Sequence, residues 1–596
     1  MTAAQLHRGP DAGGCWQSER AVLGHRRLSI LDLSEAGRQP MSNEDGSVHI
    51  VYNGEIYNYV DLRRDLLAAG HVFRCNSDTE VLLHGYEQWG IEGLLRKLRG
   101  MFAFGLYDHR AGLILARDRL GIKPLYYCRR GAGLLAFASE VKALASSAIA
   151  PAESDPQALP GFLLFGSVPS PLTTVKGVRS LPGGHYALAS DGRMTIKRYW
   201  DLPAPPCDAA GSGDRGDAPE EMRARLDRAV GSHLVSDVPL GVFLSGGVDS
   251  GAIVALASRA RPSRLTTLTV SFGEMNFDEA HEARRVADRF HTDHHELTVT
   301  SAQFLHEIPR FLAAMDQPTN DGLNTWFVSK AARECGLTVA LSGLGGDEVF
   351  WGYGHYRRAA DGAPALRTLA KLPAFARRAL VGSAAVYGRV RGQEKWARLQ
   401  ALKTGVSAEA VYYGVRGFFA PEQVGRLLGL TTTEINRVVE EAIAEVHPPG
   451  ANGFFRPAGL NYIEVKRYLH DQLLRDTDVF SMAHSIEVRV PFLDHEVVEY
   501  AAGLPDSMKL AAGTNKPVLV RAVADDAVAQ AGARRKMGFT FPMDKWMKAQ
   551  SGALGDMARR APGVDRKEAQ RLWGAFEHGR LHWSRAWAMV VLGARA

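Results

Sequence analysis

The chain reads as an α/β multidomain protein: an α+β unit on antiparallel strands, then a doubly wound parallel sheet with helical additions. Three observations predict this. The stretch from Leu202 to Glu221 is rich in Pro, Gly, Ala and Asp, has no apolar period, and breaks the chain in two. Before it, short strand-like runs follow one another; after it, strand and helix patterns alternate. At 596 residues the chain also exceeds what one hydrophobic core organises.

In the first half, VHIVYN, MFAFGLYD, LILARD and LLAFAS have strand composition, and EVLLHGYEQWG has a helical pattern. After the break, Pro219 with Glu220 and Glu221 opens a helix whose Met222, Leu226, Val230 and Leu234 share one face. VPLGVFL (Val238 to Leu244) is a short apolar run of a buried strand, and GAIVALASRA is an Ala-rich helix. LTTLTVSF, DEAHEARRVADRF, a helix from Ser301, a helix ending at AAREC and LTVALSG continue the alternation. It predicts a parallel sheet whose ligands bind at the carboxyl ends of its strands. From about Ala359 to Leu460 the pattern is Ala/Arg-rich and helical, with no site signal.

Composition excludes several classes. The net charge of +6 comes from scattered Arg residues, which argues against nucleic-acid binding. The first residues lack the apolar core of a signal peptide, and no run is long enough to span a bilayer. Cys15, Cys75, Cys128, Cys207 and Cys335 lie far apart and never in CxxC spacing, as expected of free thiols in a reducing cytoplasm.

SGGVDS, Ser245 to Ser250, is the most informative string. A strand that ends in two glycines and opens a helix brings backbone N–H groups and a helix dipole to an anion. No Lys-Ser or Lys-Thr ending follows, so this is not a Walker loop. SGG-x-DS resembles instead the loop with which ATP pyrophosphatases hold the leaving pyrophosphate. LSGLGGDE (Leu341 to Glu348) ends a second strand, which predicts that Asp249 and Asp347 share one crevice with Mg²⁺ between their carboxylates and a triphosphate.

Strings along nearly the whole length resemble the glutamine-dependent asparagine synthetases, a class II amidotransferase joined to an ATP pyrophosphatase. They are HRGPD, LGHRRLSILDL, VYNGEIYNY, SDTEVLLHGYE, GMFAFGLYD, LARDRLGIKPLYY, FLSGGVDS, LSGLGGDEVFWGY, IEVRVPFLD and RRKMGF. The resemblance implies an Ntn-type sandwich of antiparallel sheets over residues 1–200, a linker over 201–221 and the synthetase domain over 222–596. It also implies ATP-dependent amidation of aspartate through β-aspartyl-AMP, with AMP and pyrophosphate released. Ser245, Gly246, Gly247, Asp249 and Ser250 would hold pyrophosphate, Phe243, Val270, Ser342 and Gly343 would wall the adenosine, and Lys516 would contact the reacting phosphate. In the glutamine pocket Arg27, at the head of Leu28, Ser29, Ile30 and Leu31, would pair with the α-carboxylate. Asn53 and Gly54 would form the oxyanion hole, Glu55 would line the pocket, and Asp78 would bind the α-ammonium. Glu487 and Arg489 have two readings, substrate contact or internal salt bridge. Partners are small molecules, with a homodimer left open.

Two departures stand out. Leu344 occupies a position that is usually acidic in the family, so either Glu348, the nearest carboxylate, takes over or the acceptor is not aspartate. Second, the family's nucleophile is an N-terminal cysteine whose α-amine serves as its base, whereas here Thr2 follows Met1 and HRGPD begins at His7. The expectation is a natural reading frame that starts upstream with Met-Cys, and, for this chain, synthesis fed by ammonia rather than glutamine. Cys15 is no substitute, because exposing its amine removes HRGPD; His25 and His71 read as structural. Two alternatives stay open: a relative acting on another carboxylate (β-lactam synthetase, macrolactam cyclase or tailoring amidotransferase), and a non-catalytic remnant with a binding or regulatory role.

Overall fold

The computed structural model describes residues 1–595 apart from 132, 152, 205–215, 262, 273–278, 391–393, 404, 445, 447–455 and 535–540. Most of the expected linker, with Cys207, and most of RRKMGF lie outside the described residues. No helix among the described residues is long and apolar enough to cross a membrane.

The first half is antiparallel throughout, as its short strands predict. Strands β1 (Ala12–Gln17) and β2 (Val22–Arg27) form a two-stranded ribbon. A six-stranded sheet takes β3 (Met41–Ser42), β4 (Val48–Ile56), β5 (Gly100–Asp108) and β6 (Gly112–Arg117). A three-stranded sheet holds β7 (Tyr126–Arg130), β8 (Leu134–Ala138) and β9 (Val178–Ser180). The six-stranded sheet is completed by β10 (His185–Ser190) and β11 (Arg193–Arg198), in the order β11-β10-β6-β5-β4-β3. Ile50, Phe102, Phe104, Leu106 and Ile114 bury one face of it against Val81, Leu82 and Leu94 of the helix Asp78–Lys97.

The second half is a five-stranded, all-parallel sheet. Its strands are β12 (Leu240–Phe243), β13 (Thr266–Phe272), β14 (Asp293–Val299), β15 (Val339–Leu341) and β16 (Glu487–Arg489), in the order β14-β13-β12-β15-β16. The chain steps outward from β12 to β14, then returns to the other side of β12 for β15. The strand order therefore reverses between β12 and β15, and ligands of open α/β sheets bind at that reversal. The helix Val248–Ala260 is buried on nearly every side, which its small residues permit: Ala252, Ala255 and Ala257 are fully enclosed. The expected helix after the break is present as Ala218–His233, with Met222, Leu226 and Val230 buried and Leu234 at its C-cap. The Ala359 to Leu460 stretch is helical in its described parts.

Candidate active site

Both diagnostic strings leave the sheet side by side at the reversal. Leu244 N–H still donates to Leu268 O at 2.8 Å, and the chain then turns at Gly246 with φ +65. A Cβ there would stand 2.8 Å from Glu282 Cβ, so the turn needs glycine twice over. Gly247 is the N-cap of the helix that carries Asp249 in its first turn. Ser250 Oγ reaches back to accept Ser245 N–H at 3.0 Å and lies 3.1 Å from Ser245 Oγ, which closes the loop on itself.

On the neighbouring strand, Ser342 N–H donates to Arg489 O at 2.9 Å, and Ser342 Oγ accepts Leu344 N–H at 3.2 Å. A Cβ on Gly343 would come within 2.7 Å of Asp249 Cβ, so the two loops touch through this glycine. Asp347 lies in the short helix Gly346–Val349. Phe243 ends β12 half-buried, and Val270 is buried within β13, one strand along. Leu344 is half-buried against the core of this domain.

Lys516 joins the two loops. It is 2% exposed at the N-cap of the helix Pro517–Val523, and its Nζ pairs with Asp249 Oδ2 and, at 2.7 Å, with Asp347 Oδ1. Burial alone would lower the ammonium pKa; the two carboxylates reverse this and raise it to about 12. Asp249 and Asp347, 98 positions apart in sequence, thus converge on one cation. Two carboxylates gathered about a positive charge fit a hard ion with oxygen ligands such as Mg²⁺.

Beside them Glu348 is 1% exposed and accepts the Tyr353 hydroxyl at 2.7 Å. Burial, aided by Asp347, pushes its pKa up to about 7. Behind Tyr353 stands a residue that sequence reasoning missed. The Arg416 guanidinium lies 4.5 Å from the Tyr353 ring centroid and 3.9 Å from that of Tyr468, and pairs with the fully buried Glu464. Arg416 comes from the stretch that carried no site signal.

The expected glutamine residues gather around a cleft of about 1180 Å³ in the N-terminal half. Arg27, Leu28, Ile30, Leu31, Asn53, Gly54, Glu55 and Asp78 line it; Ser29 lies beside it, its N–H bound to Asp11 Oδ2 at 2.8 Å. Arg27 spends part of its guanidinium on the carbonyls of Leu31, Asp32 and Ser34 at 3.1, 2.6 and 3.1 Å. The Asn53 amide nitrogen is buried with no protein partner among the described residues. Gly54 is required by close approach, since a Cβ there would meet Met101 O at 2.1 Å. Ser77 caps the helix Asp78–Lys97, placing Asp78 at its first position, where it accepts Tyr52 O–H at 2.7 Å and Ile56 N–H at 2.9 Å. Burial raises the Asp78 pKa to about 6. Cys15 is exposed inside β1, so its nitrogen is a peptide nitrogen and not an amine. His25 is half-buried, and its Nε2 lies 3.0 Å from Tyr52 O.

Of the two readings of Glu487 and Arg489, the geometry matches the internal pair. Arg489 is fully buried, bonded to Glu487 Oε1 and Glu55 Oε2 at 2.9 Å each and to the carbonyls of His233 and Val235 at 2.9 and 2.6 Å. Glu55 therefore joins the N-terminal cleft to the edge of the parallel sheet.

A family model described as asparagine synthase matches residues 221–595, and one described as a glutamine amidotransferase domain matches residues 1–200. The chain belongs to the asparagine synthase family. "Asparagine synthetase (glutamine-hydrolyzing) 1" of Bacillus subtilis (strain 168) is 34% identical over 556 residues, covering 92% of this chain and 84% of its own length. A "Putative asparagine synthetase (glutamine-hydrolyzing)" of Mycobacterium tuberculosis (strain ATCC 25618 / H37Rv) is 34% identical over 621 residues, covering 98% and 91%. "Asparagine synthetase (glutamine-hydrolyzing) 3" of the same Bacillus strain is 30% identical over 548 residues, covering 88% and 80%. Membership of the asparagine synthase family makes the chain a C–N bond-forming ligase that uses ATP, and it does not favour either alternative left open by the sequence.

Proposed function

We propose that the chain converts aspartate to asparagine, with the synthetase unit over residues 222–596 activating the acceptor for attack by ammonia and the unit over 1–200 holding glutamine, the family's nitrogen donor. The observation that carries this reading is the convergence of Asp249, Asp347 and Lys516 between SGGVDS and LSGLGGDE in a chain of the asparagine synthase family.

The aspartate β-carboxylate attacks the α-phosphorus of ATP, the bond to the β-phosphate breaks, and pyrophosphate leaves on the N–H groups of the SGGVDS loop. Negative charge gathers on the leaving group, and a preorganised set of donors at a helix N-terminus stabilises it without reorganising. Lys516 contributes a positive charge fixed by two carboxylates. Asp249 and Asp347 are the residues that would hold Mg²⁺, and the ion would supply charge neutralisation on the phosphates when bound. Ammonia then attacks the acyl carbon and AMP departs. Glu348, with a pKa near neutrality and a Tyr353 hydroxyl on its oxygen, is placed to take the proton that the attacking nitrogen loses. That role answers the leucine at position 344. In the cleft, Arg27 and Asp78 bind the two ends of glutamine, and the Asn53 amide with the Gly54 N–H faces its side-chain carbonyl oxygen.

The test is one incubation with ATP, Mg²⁺ and aspartate, plus ammonium or glutamine, in which AMP, pyrophosphate and asparagine are measured. Equal amounts of AMP and asparagine that require aspartate are expected. AMP formation indifferent to aspartate would refute the acceptor, and no nucleotide turnover would refute the enzyme.

A further inference from the structure

Outside both sites, the helix Asp78–Lys97 and the loop before it bring two imidazoles to one carboxylate. Gly70, at φ +95, ends the helix Tyr59–Ala68, and His71 N–H donates to Leu66 O at 3.1 Å, which fixes the backbone of His71. His84 and Glu87, three residues apart, share a face of the following helix. One ligand atom from each of the three residues lies within 4.8 Å of the other two. Glu87 Oε2 is 3.0 Å from His84 Nδ1 and 3.9 Å from His71 Nδ1.

The surroundings aim these atoms. Asn43 donates its amide to Glu87 Oε1 at 2.8 Å, which leaves Oε2 for the histidines. Gln88 Oε1 is 3.1 Å from His71 Nε2; an amide oxygen only accepts, so Nε2–H donates to it and Nδ1 is the ring nitrogen turned to the cluster. His84 is 1% exposed, with Phe73 edge-on to its ring at 4.8 Å. Its Nε2 faces Glu44 and Glu80 oxygens at 3.7 and 3.8 Å and makes no hydrogen bond among the described residues. Such outer carboxylates and amides are what orient metal-binding histidines.

We propose that His71, His84 and Glu87 form a site for a divalent transition-metal ion of the Zn²⁺ class, with the remaining position left to water. Two nitrogen ligands and one oxygen suit Zn²⁺, Co²⁺ or Ni²⁺, whereas Mg²⁺ and Ca²⁺ take oxygen sets. A tetrahedral ion with bonds of ~2.0–2.1 Å needs ligand atoms ~3.3 Å apart. The observed 3.0 and 3.9 Å straddle that spacing, and His71, with 18% of its side chain exposed, has room to close. A His84 imidazolium between carboxylates accounts for His84 alone; it leaves unexplained why His71 turns its Nδ1 to the same oxygen. The ion replaces the proton between His84 and Glu87 and pins the His71 loop to the helix that begins with Asp78.

The test uses the full chain stripped with a chelator, in an Asp347→Asn background that silences the nucleotide site. Co²⁺ is titrated while visible ligand-field absorption is followed, and Zn²⁺ is titrated by calorimetry. One equivalent is expected, with Zn²⁺ raising the thermal midpoint. His71→Ala and Glu87→Gln should each abolish the Co²⁺ bands, and Asn43→Ala, which keeps all three ligands, should weaken binding by about 10–100-fold. His84 is left unchanged, because its burial would turn the experiment into a folding test. No Co²⁺ bands in the parent, or bands that persist in both His71→Ala and Glu87→Gln, would overturn the proposal.

Discussion

Replacing Arg489 with leucine tests how the two halves are joined. The guanidinium is fully buried and faces Glu55, 3% exposed, and Glu487, 5% exposed. Leucine removes two charge-assisted bonds of 2.9 Å and leaves two buried carboxylates facing each other. Breaking such a pair costs about 3–5 kcal/mol. Lys123 Nζ, 3.9 Å from Glu487 Oε2, offsets little of that at its distance. The thermal midpoint should fall by roughly 6–20 °C, since each kcal/mol moves a large domain by about 2–4 °C.

Burial already raises the Glu55 pKa above the ordinary carboxylate value, with Arg489 opposing it. Without Arg489 the folded state holds its proton to still higher pH than the unfolded state does. Stability of the variant then falls as pH rises through that window, so the deficit should be narrow near pH 5 and wide near pH 8. Adding Glu55→Gln should recover part of the loss, as coupled neighbours do. The assay is thermal unfolding of parent, single and double variants across that pH range. An unchanged midpoint in Arg489→Leu, with a raised KM for aspartate or ATP, would refute the internal ion pair and make Arg489 a substrate contact.

Three further outcomes follow from the two sites. Lys516→Met should lower kcat for AMP formation by about 10²–10³-fold, the usual cost of one transition-state donor, while glutamine affinity stays unchanged by calorimetry. Glu348→Gln should remove an acidic limb near pH 7 from the pH profile of asparagine formation. It should also stabilise the chain above that pH, because a carboxyl whose folded pKa is raised costs stability as pH climbs from its unfolded value to its folded one. Asp78→Asn should weaken glutamine binding about tenfold or more and leave ammonium-driven synthesis intact. In the parent, glutamine affinity should decline below pH 6 as Asp78 takes up a proton.

Local strings carried most of what was legible. SGGVDS announced its own turn because the φ of Gly246 and the close approach of Glu282 demand glycine, whatever lies further away. The strand and helix patterns after the break also matched, since burial on a parallel sheet writes itself as short apolar runs. Arg416 was illegible: an arginine in an Ala/Arg-rich helix looks like any solvated side chain until Glu464, 48 positions later, is packed against it. His71 read as structural for a similar reason, because its partners on the next helix are set by how Gly70 ends the first.

The sequence by itself determined the class of chemistry, since SGGVDS and the residues proposed to hold glutamine are encoded in contiguous strings whose backbone conformation is decided locally. Only the tertiary structure decided what those strings face. The reversal of strand order between β12 and β15 brings Asp249 to Asp347 and both to Lys516, and the contact between the halves turns Arg489 from a candidate ligand into the partner of Glu55. Charges separated by hundreds of residues meet only when sheet topology and domain packing exclude water between them, and no local propensity carries that information.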